Sequence, residues 1–134
     1  MKLDLVNVRK VLLCLEQNLL ITEEGKFEEV AFRNIAEWCN LSVGETLNIL
    51  LTLRDAGAIT ADDDDGDNRI LAFDVYRLTY FGYQLLESLR PETISAKLKN
   101  AMAKGIPLTF DAIIKASTGF AVPEILATIG KSIP

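Results

Sequence analysis

The hydrophobic period of this chain changes twice, and that change limits the folds open to it more than any other feature. From Leu5 to Leu53 apolar residues recur every three or four positions, the spacing of helices that bury one face. From Ala58 to Tyr76 the period is two, as in strands. From Leu78 the helical spacing returns. A helical block, one hairpin and a helix again is the order that any fold for this chain must satisfy.

Leu5, Val8, Leu12, Leu15 and Leu19 predict a first helix from about Asp4 to Asn18. The polar stretch Thr22 to Lys26, with Gly25, reads as a loop. A second helix is expected from Glu28 to Cys39, turning Val30 or Ala31, Ile35 and Trp38 or Cys39 inward. Cys39-Asn40-Leu41-Ser42 is a tight joint. Ser42-Val43-Gly44-Glu45 is a capping box: the Ser42 hydroxyl accepts the Glu45 N–H, and the Glu45 side chain reaches back to the cap. The third helix is expected to bury Leu47, Leu50, Leu51 and Leu53 and to present Gly44, Glu45, Asn48, Ile49 and Thr52. It stops at Ala56-Gly57.

Ile59 to Ala61 and Ile70 to Tyr76 read as two strands, joined by a turn from Asp62 to Asn68 that contains an Asp-Gly hairpin signal. Thr79 caps a fourth helix with Phe81, Leu85, Leu86 and Leu89 on its apolar side, and Pro91 ends or restarts it. Glu92 to Lys104 is helical, with Ile94, Leu98 and Met102 four residues apart. Shorter tail helices are expected at Thr109 to Ser117 and Glu124 to Ile129. The predicted fold class is mainly α with a small β-hairpin: a winged helix-turn-helix over residues 1–90, then a helical C-terminal extension over 91–134. That extension packs on the first domain or serves dimerisation.

Three stretches carry a family resemblance: Met1-Lys2-Leu3-Asp4 with Val8-Arg9-Lys10-Val11-Leu12, Leu50 to Ile59 with its Ala56-Gly57 pair, and Leu78-Thr79-Tyr80-Phe81-Gly82-Tyr83-Gln84-Leu85-Leu86. Here the chain resembles the small winged-helix proteins of unknown function found in bacterial chromosomes and prophages. The resemblance implies a winged-helix, non-enzymatic, phage-linked protein with no established ligand. Members of that family often have a histidine early in the third helix, where this chain has Asn48-Ile49. No role of that histidine carries over.

The chain contains no histidine, which removes Ser-His and Cys-His nucleophile pairs, His-ligated metal sites and the commonest neutral-pH base. Acid–base catalysis needs converging carboxylates, and Glu16, Glu37, Glu45 and Glu87 fall on scattered outward faces. The acidic run is no calcium loop either. With Gly66 at the sixth position, Ala61 and Ala72 occupy the first and twelfth, which need oxygen ligands. Gly130-Lys131-Ser132 echoes a phosphate loop, but Ile125 stands where its partner glycine belongs. No catalytic residue, cofactor or metal is expected.

Asn7, Arg9 and Lys10 interrupt what would be a signal peptide's apolar region, and no stretch is long and apolar enough for a membrane span. Cys14 and Cys39 read as two buried thiols. The expected location is the cytoplasm.

The net charge of −5 divides unevenly. Residues 59–75 hold +1 and −6, whereas residues 76–134 hold +7 and −4. Two uses follow, in different classes. As a DNA-binding transcription regulator, the chain would read base edges with Glu45, Asn48 and Thr52 and contact phosphates with Lys97 and Lys104. Against this, no Lys or Arg occurs between Arg33 and Arg54, and the hairpin is acidic. As a protein-interaction module, it would dock a protein partner on Asp62, Asp63, Asp64 and Asp65, in one version as a phage-encoded inhibitor of a host protein. Ile113, Ile114, Phe120, Val122, Ile125, Leu126 and Ile129 make the tail apolar enough to pack back or to form a homodimer. The candidate partners are duplex DNA, a protein and a second copy of the chain, with no membrane.

Overall fold

The computed structural model describes residues 2–105 and 109–114. The expected tail helix at Glu124 to Ile129, and the tail residues from Phe120 to Ile129, lie outside them. The fold mixes helices with two small antiparallel sheets. It divides into two compact units, Met1–Tyr83 and Gln84–Pro134.

The first unit opens with α1, Leu5–Asn18, capped by Asp4, whose side chain accepts the Val6 N–H at 2.9 Å. Leu5, Val8, Val11, Leu12 and Leu15 form its buried stripe. Next come two strands unforeseen in the sequence, β1 (Leu20–Ile21) and β2 (Phe27–Glu28), paired across the polar loop with Gly25 at φ 86°. A third strand, β3 (Val30–Ala31), precedes α2 (Phe32–Cys39). The second helix therefore starts at Phe32 and not at Glu28. The correction has a physical cause: Val30 pairs with Val75 and Ala31 with Asp74, so this segment's backbone is satisfied by a distant strand. Ile35 and Cys39 are buried as expected, whereas Trp38 is 52% exposed.

Asn40, left-handed at φ 56°, closes α2, and the Leu41 N–H returns to the Ala36 carbonyl at 2.9 Å. Then α3, Val43–Asp55, starts at Ser42, whose hydroxyl accepts the Glu45 N–H at 3.1 Å. Its buried residues are Thr46, Ile49, Leu50 and Leu53. Ile49, expected outside, is 1% exposed, and Leu47 and Leu51, expected inside, are half-buried. Leucines and isoleucine crowd both sides of this helix, and the face packed on α2, α1 and the sheet is rotated from the predicted one.

Gly57, at φ 81°, turns the chain into β4 (Ile59–Gly66), which pairs with β5 (Arg69–Leu78). Asp62 to Asp65 are thus strand residues and not a turn. The reversal is confined to Asp67 and Asn68, with Asn68 at φ 56°. Cross-strand pairing continues through the aspartates as far as Gly66 and Arg69. The sheet order is β3-β5-β4, so β4 lies at an edge. Phe73, Val75 and Leu78 face the core with Ala58 and Ile59.

Thr79 begins α4 (Tyr80–Leu89) by accepting the Gly82 N–H at 3.1 Å and donating to the Gly57 carbonyl at 2.6 Å. The division between the units falls within α4. In the second unit, Leu85, Leu86 and Leu89 are buried, and α5 (Thr93–Ala103) buries Leu98. A helical turn over 110–114 starts at Thr109, whose hydroxyl accepts the Ala112 N–H at 3.1 Å.

Candidate functional site

The acidic side of the β4–β5 hairpin is built by strand geometry. Asp62, Asp63, Asp64 and Asp65 are all exposed on the edge strand. Alternation sends neighbouring side chains to opposite faces, except where the register shifts between Asp64 and Asp65. On one face the Tyr76 hydroxyl donates to Asp62 Oδ2 at 2.9 Å. That bond to a carboxylate raises the phenol's pKa above its ordinary value. On another, Arg54 Nη1 pairs with Asp63 Oδ1 at 3.2 Å while its guanidinium lies 5.0 Å from the centre of the Phe73 ring. A hydrogen bond between the Asp63 and Asp65 carboxyls holds Asp63 below the usual carboxylate range, with Arg54 acting in the same direction. The same contact raises Asp65 above its ordinary value, since a neighbouring carboxylate disfavours its charged form. The edge therefore presents an acidic ribbon in which Asp63 is paired with Arg54 and Asp62 with the Tyr76 hydroxyl.

On α3 two of the three groups proposed for base reading, Glu45 and Thr52, are otherwise engaged. The Asn7 amide donates to Glu45 Oε2 at 2.6 Å, in place of the capping contact expected for that carboxylate. The Thr52 hydroxyl donates to the Asn48 carbonyl at 2.7 Å. Asn48 itself is half-buried. The cation of α3, Arg54, is committed to Asp63 and Phe73. Lys97 and Lys104 are exposed along α5 and at its end, in the second unit.

A surface cavity of about 670 Å³ is lined by Lys10, Leu13, Cys14, Gln17, Asn18, Trp38 and Cys39. Both cysteines are free and nearly buried. The Asn18 amide donates to the Cys14 carbonyl at 2.8 Å and to its Sγ at 3.7 Å, and the Cys39 thiol donates to the Lys10 carbonyl at 3.7 Å. The nearness of the two thiols lowers the pKa of Cys14 and raises that of Cys39.

Comparison with protein-family models, curated proteins and solved structures finds no significant match for the chain. Among the described residues, no helix is long and apolar enough to cross a membrane, and no group of three or more Cys, Asp or Glu could hold a metal ion.

Sequence reasoning placed the four aspartates in one patch but missed Arg54, Tyr76 and Asn7 as their and Glu45's partners. Arg54 carried a usable signal, being the cation that ends the third helix just before the hairpin. Asn7 carried none, since it lies 38 positions from Glu45.

Proposed function

We propose that the chain is a non-enzymatic winged-helix regulatory protein whose acidic wing docks a basic segment of a protein partner. The fold part of this reading is supported by the element order and by the sheet order β3-β5-β4, with β3 between the first two helices and β4–β5 as the wing. One observation carries the function: an edge strand whose outer side pairs with no further strand among the described residues bears four consecutive exposed aspartates. An extended peptide added to that edge would gain main-chain hydrogen bonds, and its Lys and Arg side chains would meet carboxylates. Duplex DNA is the second reading, favoured by Asn48 on α3 and by the exposed Lys97 and Lys104. Its weakness is electrostatic: a phosphate backbone near the wing would face aspartates.

Fluorescence anisotropy separates the two readings. The full chain is titrated against a labelled peptide of alternating Lys and Val, and against random duplex DNA, from about 50 to about 200 mM salt. The docking reading expects peptide binding that weakens with salt and is lost when Asp62 to Asp65 become Ser. It also expects binding to survive Glu23→Gln with Glu24→Gln. DNA binding with a steep salt slope, reduced by Lys97→Ala and Lys104→Ala, would establish the second reading. Equal loss in the Glu23/Glu24 control would reduce the wing to general charge.

A further inference from the structure

Cys14 and Cys39 serve neither reading of the function, yet their surroundings are those of a reactive pair. Cys14 sits on the inner stripe of α1 and Cys39 closes α2, and both line the same surface cavity. The cavity, about 670 Å³, is wide enough for a small oxidant, and through it Cys14 and Cys39 keep 8% and 9% of their surface exposed. Its polar lining includes Lys10, one turn before Cys14, and the Asn18 amide, which donates toward the Cys14 sulfur.

We propose that Cys14 and Cys39 are a dithiol that hydroperoxides oxidise to an intramolecular disulfide, with Cys14 as the attacking sulfur and Cys39 as the resolving one. The roles follow from the hydrogen bonds. The Cys14 sulfur accepts from the Asn18 amide at 3.7 Å, a contact that favours its thiolate. The Cys39 thiol instead donates to the Lys10 carbonyl at 3.7 Å, one turn before Cys14 on α1, which keeps it a thiol beside Cys14.

The chemistry balances in two steps. The Cys14 thiolate attacks the outer oxygen of the hydroperoxide, the O–O bond breaks, the alcohol leaves with a proton, and Cys14 becomes a sulfenic acid. Cys39 sulfur then attacks Cys14 sulfur. The S–S bond forms, the S–O bond breaks, and the hydroxide leaves as water with the Cys39 proton. Overall, two thiols and one hydroperoxide give one disulfide, one alcohol and one water. The product would fasten α1 to α2 inside the first unit.

The test treats the reduced full chain with one equivalent of hydrogen peroxide at neutral pH. Both thiols should disappear from a thiol-specific reagent, and the intact mass should fall by about 2 Da, for two hydrogens lost. Fluorescence of Trp38, the chain's one tryptophan and a wall of the same cavity, should be quenched by the new disulfide. Dithiothreitol should reverse all three. Because the Asn18 contact favours the Cys14 thiolate, oxidation should run faster than that of free cysteine. Cys39→Ser should stop at a sulfenic acid on Cys14 that dimedone captures, whereas Cys14→Ser should lose the rapid phase. The wild-type readings stand alone should either variant fail to fold. Oxidation no faster than free cysteine, a mass gain of oxygen, or disulfide-linked dimers would each overturn the proposal.

Discussion

Arg54 is the residue on which the hairpin's local electrostatics turn. It lies in the last turn of α3, where a cation suits the helix dipole, and it reaches both the Phe73 ring and Asp63. Removing its charge by Arg54→Gln leaves Asp63 with its bond to Asp65 alone, so the Asp63 titration should move upward. Carbon-detected NMR of the carboxyl groups reads this directly: Asp63 should titrate below Asp65 in the wild type, and the gap should narrow in the variant. Asp63 and Asp65 titrating together would contradict the carboxyl pair. The two groups act on stability with opposite sign. Asp63, lowered by Asp65 and Arg54, stabilises above the ordinary carboxylate range, and this is lost as pH falls through its depressed value. Asp65, raised by Asp63, stabilises below that range, and this is lost as pH rises through its elevated value. At the other end of the unit, Asp4 holds the start of α1 by one bond to the Val6 N–H. Asp4→Ala should lower unfolding free energy by about 1 kcal/mol in urea titrations.

At the scale of elements, the junction between the hairpin and α4 is governed by one close approach. A Cβ added at Gly82 would lie 2.1 Å from the Ala58 carbonyl oxygen, a backbone atom that cannot swing aside. Helix propensity alone predicts that Gly82→Ala gains about 1 kcal/mol. The overlap is expected to reverse that sign and destabilise by roughly 1–3 kcal/mol, visible as a lower melting temperature. A stabilised variant would mean that α4 starts elsewhere. The same junction illustrates what the sequence discloses. Thr79 and Ser42 were legible as caps because a cap acts within three residues. Among the described residues the helices were legible from spacing, except for the start of α2 and the face of α3, where Leu47, Ile49, Leu50 and Leu51 offer two nearly equal stripes. The strands β1, β2 and β3 were not legible: each has two residues, and β3 exists through pairing with Val75 and Asp74, far along the chain. The extent of β4 was hidden for a different reason. Aspartate disfavours strands, so four in a row resemble a turn until β5 supplies partners. Of the candidate site, the acidic patch was visible in composition, but the bonds engaging Glu45 and Thr52 depend on packing and rotamers.

For the whole molecule, the relevant quantity is where the negative charge is concentrated. Residues 59–75 alone hold a net −5, equal to that of the entire chain. The hairpin adds an unfavourable pairing, since Asp62 lies directly opposite Asp74. A sequence selected for stability alone would not retain like charges across two strands, and such local violations concentrate where a protein meets something else. Asp74→Thr isolates the effect, because it relieves the repulsion on β5 while leaving the four aspartates of β4 intact. The variant should be more stable by about 0.5 kcal/mol at low salt, from the lost repulsion and the better strand propensity of threonine. Added salt should shrink the repulsive part of that advantage, since screening already weakens the Asp62–Asp74 interaction in the wild type. Thermal unfolding of both chains at low and high ionic strength measures it. If Asp74→Thr were instead less stable at both, the Asp74 carboxylate would be holding the sheet together, and the hairpin's charge would belong to its folding and not to a partner.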